Sequence, residues 1–116
     1  MFLSHDKKIS LGYKLALEKK AYDLIVFDLR GYSYITDFFM ICSGNSTRQV
    51  RAIADVIMEE FKKEGIRYQG LEGYDTARWI LIDYDDLIIH IFHEETRRFY
   101  DIERLWGSTP KVEVPI

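Results

Sequence analysis

The chain has 116 residues, 47% of them hydrophobic and 30% charged, which is typical of one ordinary globular domain. Its 16 basic and 19 acidic side chains leave a net charge of −3, so the molecule as a whole has no electrostatic reason to bind bare nucleic acid. The single cysteine excludes an internal disulfide, and no run approaches the roughly 18 apolar residues of a membrane span, so we expect one cytosolic domain over residues 1–116.

The first part of the chain alternates between helical and extended patterns. Apolar residues at helical spacing predict a helix over residues 10–20, and the apolar run 24–29 predicts a buried strand. A second strand is predicted over residues 37–43. The helix after it has the clearest pattern in the chain, since apolar residues recur every three or four positions at Val50, Ile53, Ala54, Ile57 and Phe61. Ser46 and Gln49 form a capping-box pattern at its start, and Gly65 suits its end.

Residues 79–92 predict a β-hairpin. Both arms are rich in β-branched and aromatic residues, and only Asp85 and Asp86 separate them. With a two-residue turn, Trp79 faces Phe92 across the two strands. A short strand is predicted before the hairpin, over residues 68–71. After it, residues 94–106 are predicted to form one helix, and residues 107–116 a loose tail.

The two faces of the hairpin differ in composition. One face is nearly all aliphatic and belongs to a core: Ile80, Ile82, Tyr84, Leu87, Ile89 and Ile91. The other mixes large aromatics with a carboxylate and an imidazole: Trp79, Leu81, Asp83, Ile88, His90 and Phe92. Such a mixture is typical of a protein interface, but a helix of the same chain could also cover it. The predicted order is α-β-β-α-β-β-β-α, an α/β (α+β) fold with a mixed sheet of about five strands and helices packed on it.

Few residue patterns favour catalysis. The Gly44-Asn45-Ser46 turn with Asp83 and Asp85 is compatible with a nucleotidyltransferase that holds a phosphate at a helix start and a metal on two aspartates, although turn acids and a helix cap explain the same residues. Cys42 lies in an apolar strand without a candidate base, and His90 and His93 should point to opposite faces of a strand. We predict no nucleophile, metal site or cofactor.

A series of short motifs follows the chain in order: Ala21-x-Asp23-Leu24-Ile25-x-x-Asp28, Ser33-x-x-Thr36-Asp37-Phe38-Phe39, Ser43-Gly44-x-Ser46-x-Arg48-Gln49-Val50, Glu72-Gly73, Trp79-x-Leu81-x-Asp83-Tyr84, His90-x-Phe92 and Tyr100-Asp101-x-Glu103-x-Leu105-Trp106. With these motifs, the chain from about Leu11 to Trp106 resembles the ribosomal silencing factor family, also called the Iojap-related proteins. The resemblance implies a reduced nucleotidyltransferase-like fold and a cytosolic translation repressor that is not an enzyme. It further implies binding to the large ribosomal subunit at its protein number fourteen, which keeps the small subunit from joining when nutrients are scarce.

One departure from the family concerns the hairpin turn, where the family has Tyr-Gly-Asp and this chain has Tyr84-Asp85-Asp86. Positive φ is less favourable for aspartate than for glycine, which leaves the turn type open. The second aspartate of the possible metal pair also falls where the family has no acid, which weakens the nucleotidyltransferase interpretation.

The residue pattern and the resemblance together predict a protein-binding patch. Its predicted members are the apolar anchors Trp79 and Tyr100, the acids Asp83 and Glu103 for basic groups of the partner, and the surrounding His90, Arg98, Leu105 and Trp106. The alternative for Trp106 and Phe99 is that they pack the last helix on the sheet. A homodimer through the same patch is a further expectation, because an uncovered aromatic face tends to find a partner.

Overall fold

A five-stranded mixed sheet organises the chain in a computed structural model that describes residues 5–114. The elements in chain order are α1 (His5–Glu18), β1 (Tyr22–Asp28), β2 (Phe38–Gly44), α2 (Thr47–Lys63), β3 (Gly70–Glu72), β4 (Trp79–Asp83), β5 (Leu87–His93), α3 (Glu94–Tyr100) and a 3-10 helix (Ile102–Trp106). The strand order is β1-β2-β5-β4-β3, with β2 and β5 parallel and the other neighbours antiparallel. The predicted fold class is confirmed. None of the helices described in residues 5–114 is long and apolar enough to cross a bilayer.

The main core lies between one face of the sheet and helices α1 and α2. It takes the alternate strand residues that point to this face, including Met40, Ile80 and Ile89, together with the apolar stripe of α2. Helix α2 has the predicted cap, because the Gln49 N–H donates to Ser46 Oγ at 3.0 Å. At its other end Gly65 has the left-handed φ of +79° that the sequence predicted for it.

A smaller second core lies on the opposite face of the sheet. Its buried members are Phe27, Leu29, Ile41 and Phe92, and Ile25, Phe39, Trp79, Ile102 and Trp106 pack around them. The 3-10 helix thus covers part of the aromatic face that the sequence left open to either a partner or a helix of the same chain. The β4 side of that face, with Trp79 and Asp83, remains only half covered.

The hairpin has the register that the sequence predicted, with Trp79 opposite Phe92 and Leu81 opposite His90. Its first face is buried as expected, at 3% exposure or less for all six side chains. The register follows from the side-chain period of two and a two-residue turn, since a slip by one residue would turn every aliphatic side chain to the wrong face.

The first and last helices differ from the sequence predictions. Helix α1 begins earlier, at His5, and an ion pair between Lys8 and Asp86 (2.8 Å) fixes its first turns against the hairpin turn. The single helix predicted over residues 94–106 is wrong, because Asp101 adopts a left-handed φ of +47° and separates α3 from the 3-10 helix.

The C-terminal segment differs from the loose tail expected for residues 107–116. Residues 110–112 run antiparallel beside the outer edge of β1. The Asp28 N–H donates to the Pro110 carbonyl at 2.8 Å, and the Val112 N–H donates to the Val26 carbonyl at 2.9 Å. These bonds satisfy edge groups of β1 that would otherwise face solvent.

Candidate partner-binding surface

Three aromatic rings form a row that leads from the second core to the protein surface. Trp79, at the start of β4, stacks on Phe92 with ring centroids 4.8 Å apart. Tyr100, at the end of α3, contacts Trp79 at 5.3 Å, and Phe99 meets Tyr100 edge to face at 5.0 Å. Tyr100 is 55% exposed and Phe99 80% exposed. The inner end of the row is therefore fixed by packing, while its outer end is open to a partner.

A groove of about 530 Å³ runs between these rings and the loop that precedes β4. It is lined by Thr76, Arg78, Trp79, Glu95, Thr96, Phe99 and Tyr100. The loop is anchored to α2, because Arg51 donates to the carbonyls of Tyr74 (3.3 Å) and Asp75 (2.7 Å) and the Tyr74 hydroxyl donates to Asp55 at 2.6 Å. The rim of the groove is thus held in place from the other side of the sheet.

His90 was predicted to contact a partner, but it is only 3% exposed and lies beneath the rings of Phe39, Trp79 and Phe92. The Trp79 Nε1–H donates to His90 Nδ1 at 3.0 Å, which places the imidazole proton on Nε2. Burial lowers the pKa of His90 to about 4, so the ring is neutral at neutral pH. Its position therefore gives His90 the role of orienting the Trp79 indole, and a partner cannot reach it here.

The 3-10 helix adds one apolar side chain to the surface. Leu105 is 75% exposed, as a binding residue should be. Trp106 instead turns inward and meets the Phe39 ring edge to face at 5.9 Å. Trp106 therefore packs on the sheet, which was one of its two predicted alternatives. Phe99 does not pack on the sheet and is exposed.

The charged residues of the predicted patch lie in different places. Glu103 accepts two hydrogen bonds from Arg97, at 2.9 and 3.0 Å, and these bonds lower the pKa of its carboxyl. Its carboxylate therefore already has a cation from its own chain. Arg98 is exposed, but on the side of α3 that faces Tyr22 and Glu94, away from the groove.

Asp83 lies at the far end of β4, beside the hairpin turn, where its Oδ1 accepts the Asp85 N–H at 2.8 Å. It lies four positions along β4 from Trp79, roughly 13 Å away at the usual rise per residue. It is therefore a turn-stabilising residue distant from the aromatic row.

The two halves of the possible nucleotidyltransferase site are also far apart. Gly44 pairs with His93 at one end of the sheet, whereas Asp83 pairs with Ile88 near the other end, roughly 16 Å away along β5. Within residues 5–114, no group of three or more His, Cys, Asp or Glu side chains is placed to hold a metal ion. Cys42 is fully buried, and this raises the pKa of its thiol to about 12, so it is a core residue.

The structure thus brings together Trp79 and Tyr100 from the predicted set and adds Phe99. The sequence pattern left packing of Phe99 on the sheet, as part of one continuous helix, as one of two alternatives. The break at Asp101 changes this, and the only local signal for it is that aspartate tolerates left-handed backbone better than most residues.

The family model for the ribosomal silencing factor during starvation matches residues 3–116. The chain belongs to the ribosomal silencing factor family. A ribosomal silencing factor of Halalkalibacterium halodurans is 41% identical over 112 residues, which cover 97% of this chain and 96% of that protein. The chloroplastic protein Iojap of Zea mays is 33% identical over 88% of this chain and 44% of its own length.

A crystal structure from Chromobacterium violaceum has a TM-score of 0.88 and 27% identity, covering 98% of this chain and 94% of that one. Membership of a silencing-factor family makes this chain a regulatory protein that represses translation at the ribosome.

Proposed function

We propose that this silencing factor binds the large ribosomal subunit through a docking surface formed by Trp79, Phe99, Tyr100 and Leu105. The resemblance of the sequence implies that the contact is with large-subunit protein number fourteen, on the face that meets the small subunit. Binding there blocks the joining of the small subunit, in the cytoplasm and under nutrient limitation. The observation that carries the proposal is the row of rings that begins in the second core and ends at an 80% exposed Phe99.

Large exposed aromatics supported from below are the usual energetic centres of protein interfaces. Trp79 is held by Phe92 and His90, so a partner gains contact area there without having to order the indole. The net charge of −3 favours a basic protein surface and disfavours direct contact with RNA phosphates. Repression is then steric, and the proposed mechanism involves no chemical reaction.

The first test is co-sedimentation of the protein with purified large subunits, followed by addition of small subunits. Phe99→Ala is the informative variant, because the side chain is largely exposed and its loss leaves both cores intact. We expect it to weaken binding roughly thirtyfold, about 2 kcal/mol, and to restore subunit joining. The matched control is Tyr34→Ala, a fully exposed aromatic in the β1–β2 loop beside Asp85 and Asp86, at the other end of the sheet.

If Phe99→Ala binds large subunits as tightly as wild type, the proposed docking surface is wrong. If wild type does not bind large subunits at all, the proposed function is wrong. The same surface also supports a homodimer, which would compete with the ribosome. Light scattering should then show dimers that dissociate when large subunits are added. Dimers that persist on the large subunit would contradict this competition.

A further inference from the structure

Arg97 is the buried centre of a hydrogen-bond network that joins four parts of the fold. It lies on α3 and is only 8% exposed. Its Nε and Nη2 donate to the two carboxylate oxygens of Glu103, at 2.9 and 3.0 Å. Its Nη1 donates to the Asp23 carbonyl and to Ser43 Oγ, both at 2.7 Å. One guanidinium thus connects α3 with the 3-10 helix, with β1 and with the end of β2.

The backbone of β1 is shaped to make one of these bonds. The β1–β2 register shifts between Tyr22 and Ile25, and Asp23 within this bulge has a φ of +52°. Bulges re-aim backbone groups that a regular ladder would use. Here the Asp23 carbonyl is directed at Arg97, so left-handed backbone at a non-glycine residue is compensated by a charge-assisted hydrogen bond.

The Arg97–Glu103 pair spans the break at Asp101. The paired residues lie on either side of the left-handed Asp101, so their two parallel bonds fix the angle between α3 and the 3-10 helix. Phe99 and Tyr100 lie just before the break and Leu105 just after it. The backbone of Asp101 itself is bonded on both sides, because its N–H donates to the Arg97 carbonyl at 2.8 Å and its carbonyl accepts the Arg104 N–H at 3.1 Å.

We infer that Arg97 and Glu103 are positioning residues that hold the two halves of the docking surface in their binding arrangement. This inference rests on the proposed function. Neither residue needs to touch the partner, because Glu103 is already paired and Arg97 is buried. Arginine is required for this role, since a lysine ammonium cannot make the parallel pair of bonds and reach Asp23 and Ser43 as well.

The inference is tested first without the ribosome, by hydrogen exchange in wild type, Glu103→Gln and Arg97→Lys. Glu103→Gln keeps the side-chain shape and is the variant that should remain folded. In both variants we expect the backbone amides of residues 101–106 to exchange at least tenfold faster than in wild type, while the amides of α2 keep their protection. The matched control is Arg104→Gln, which removes an 85% exposed charge on the same segment that lies 4.0 Å from Asp101.

The second readout is the binding of the same variants to purified large subunits at several salt concentrations. If Arg97 and Glu103 act as positioning residues, both variants should bind large subunits at least tenfold more weakly because they dissociate faster. The salt dependence of their affinity should be the same as in wild type. A Glu103 that itself contacted a basic group of the partner would instead show a reduced salt dependence in Glu103→Gln. The double variant Leu105→Ala, Glu103→Gln should lose less binding free energy than the sum of the two single variants. Once Glu103→Gln has displaced the 3-10 helix, Leu105 no longer contacts the partner fully, so its removal costs less.

Unchanged exchange at residues 101–106 overturns the inference whatever the binding result. Loss of α2 protection in Glu103→Gln also overturns it, since the pair would then support the whole fold. If wild type itself does not bind large subunits, the proposed function fails, and the exchange result alone decides whether the pair fixes the break at Asp101.

Discussion

The turn between β4 and β5 places Asp85 at a φ of +76°. The Asp86 N–H donates to the Tyr84 carbonyl at 3.0 Å, which is the pattern of a γ-turn with left-handed φ, a strained conformation for any residue with a Cβ atom. Bonds from the Asp85 N–H to Asp83 and from the Thr36 hydroxyl to the Asp85 carbonyl hold the turn in place. The turn keeps the positive φ that a family glycine would supply, although the glycine itself is absent.

Asp85→Gly should therefore stabilise the protein. Glycine relieves a left-handed strain of about 1 kcal/mol or somewhat more but adds freedom to the unfolded chain, so we expect a net gain of roughly 0.5 kcal/mol and a rise in Tm of about 2 °C. Thermal unfolding followed by circular dichroism measures it. Asp85→Ala is the matched control, since it removes the same carboxylate and keeps the Cβ atom. A gain as large in the alanine variant would mean that charge, and not backbone conformation, is responsible.

The loop before β4 determines where Trp79 begins its strand. Gly73 has a φ of +78°, and a Cβ atom there would lie 1.9 Å from the Trp79 carbonyl oxygen. The loop can therefore pass over the start of β4 only without a side chain at this position. The same close approach fixes the rim of the groove beside Tyr100.

Gly73→Ala should be strongly destabilising, by roughly 3 kcal/mol, because a steric clash with backbone adds to the left-handed strain. The matched control is Gly31→Ala, where φ is +85° but nothing lies within 4 Å of the added Cβ atom. There the left-handed strain alone should cost about 1 kcal/mol. Urea unfolding of both variants gives the difference. If both variants lose the same free energy of unfolding, the close approach of Gly73 to the Trp79 carbonyl does not contribute to stability.

Elements with a local cause could be predicted from the sequence. The hairpin register followed from alternation and turn length, and α2 from its apolar stripe and cap. The predictions that failed concern features that depend on contacts between residues far apart in the chain. Helical periodicity alone could not place the break at Asp101, which is held by Arg97 through its bonds to β1 and β2. Strand alternation alone placed His90 on one face of the sheet without showing that Phe39 and Trp79 cover it. For the candidate site, the sequence could therefore name Trp79 and Tyr100, which lie in contact in the structure, but it could not show that His90 is buried beneath them.

At the scale of the whole molecule, one sheet carries two cores of unequal size. Two helices cover the main core, with Val112 and Val114 of the C-terminal segment at its edge, whereas the 3-10 helix covers the second core. The second core also contains the buried imidazole of His90, whose Nε2 has no hydrogen-bond partner among the described residues. The rings against it, Phe39, Trp79 and Phe92, carry no titratable group. A proton on His90 would therefore be a charge without compensation.

This makes the stability of the whole domain depend on pH. The pKa of His90 is lowered from an ordinary 6.5 to about 4 by burial, so between these values the unfolded chain binds a proton that the native state does not. Stability must then fall as pH falls through this window, and from pH 7 to pH 5 the loss should be about 2 kcal/mol. Urea unfolding at the two pH values measures it. His90→Gln, whose amide oxygen can still accept from Trp79, should be less stable at pH 7 but lose far less between pH 7 and 5, and an equal loss in both proteins would assign the effect to other groups.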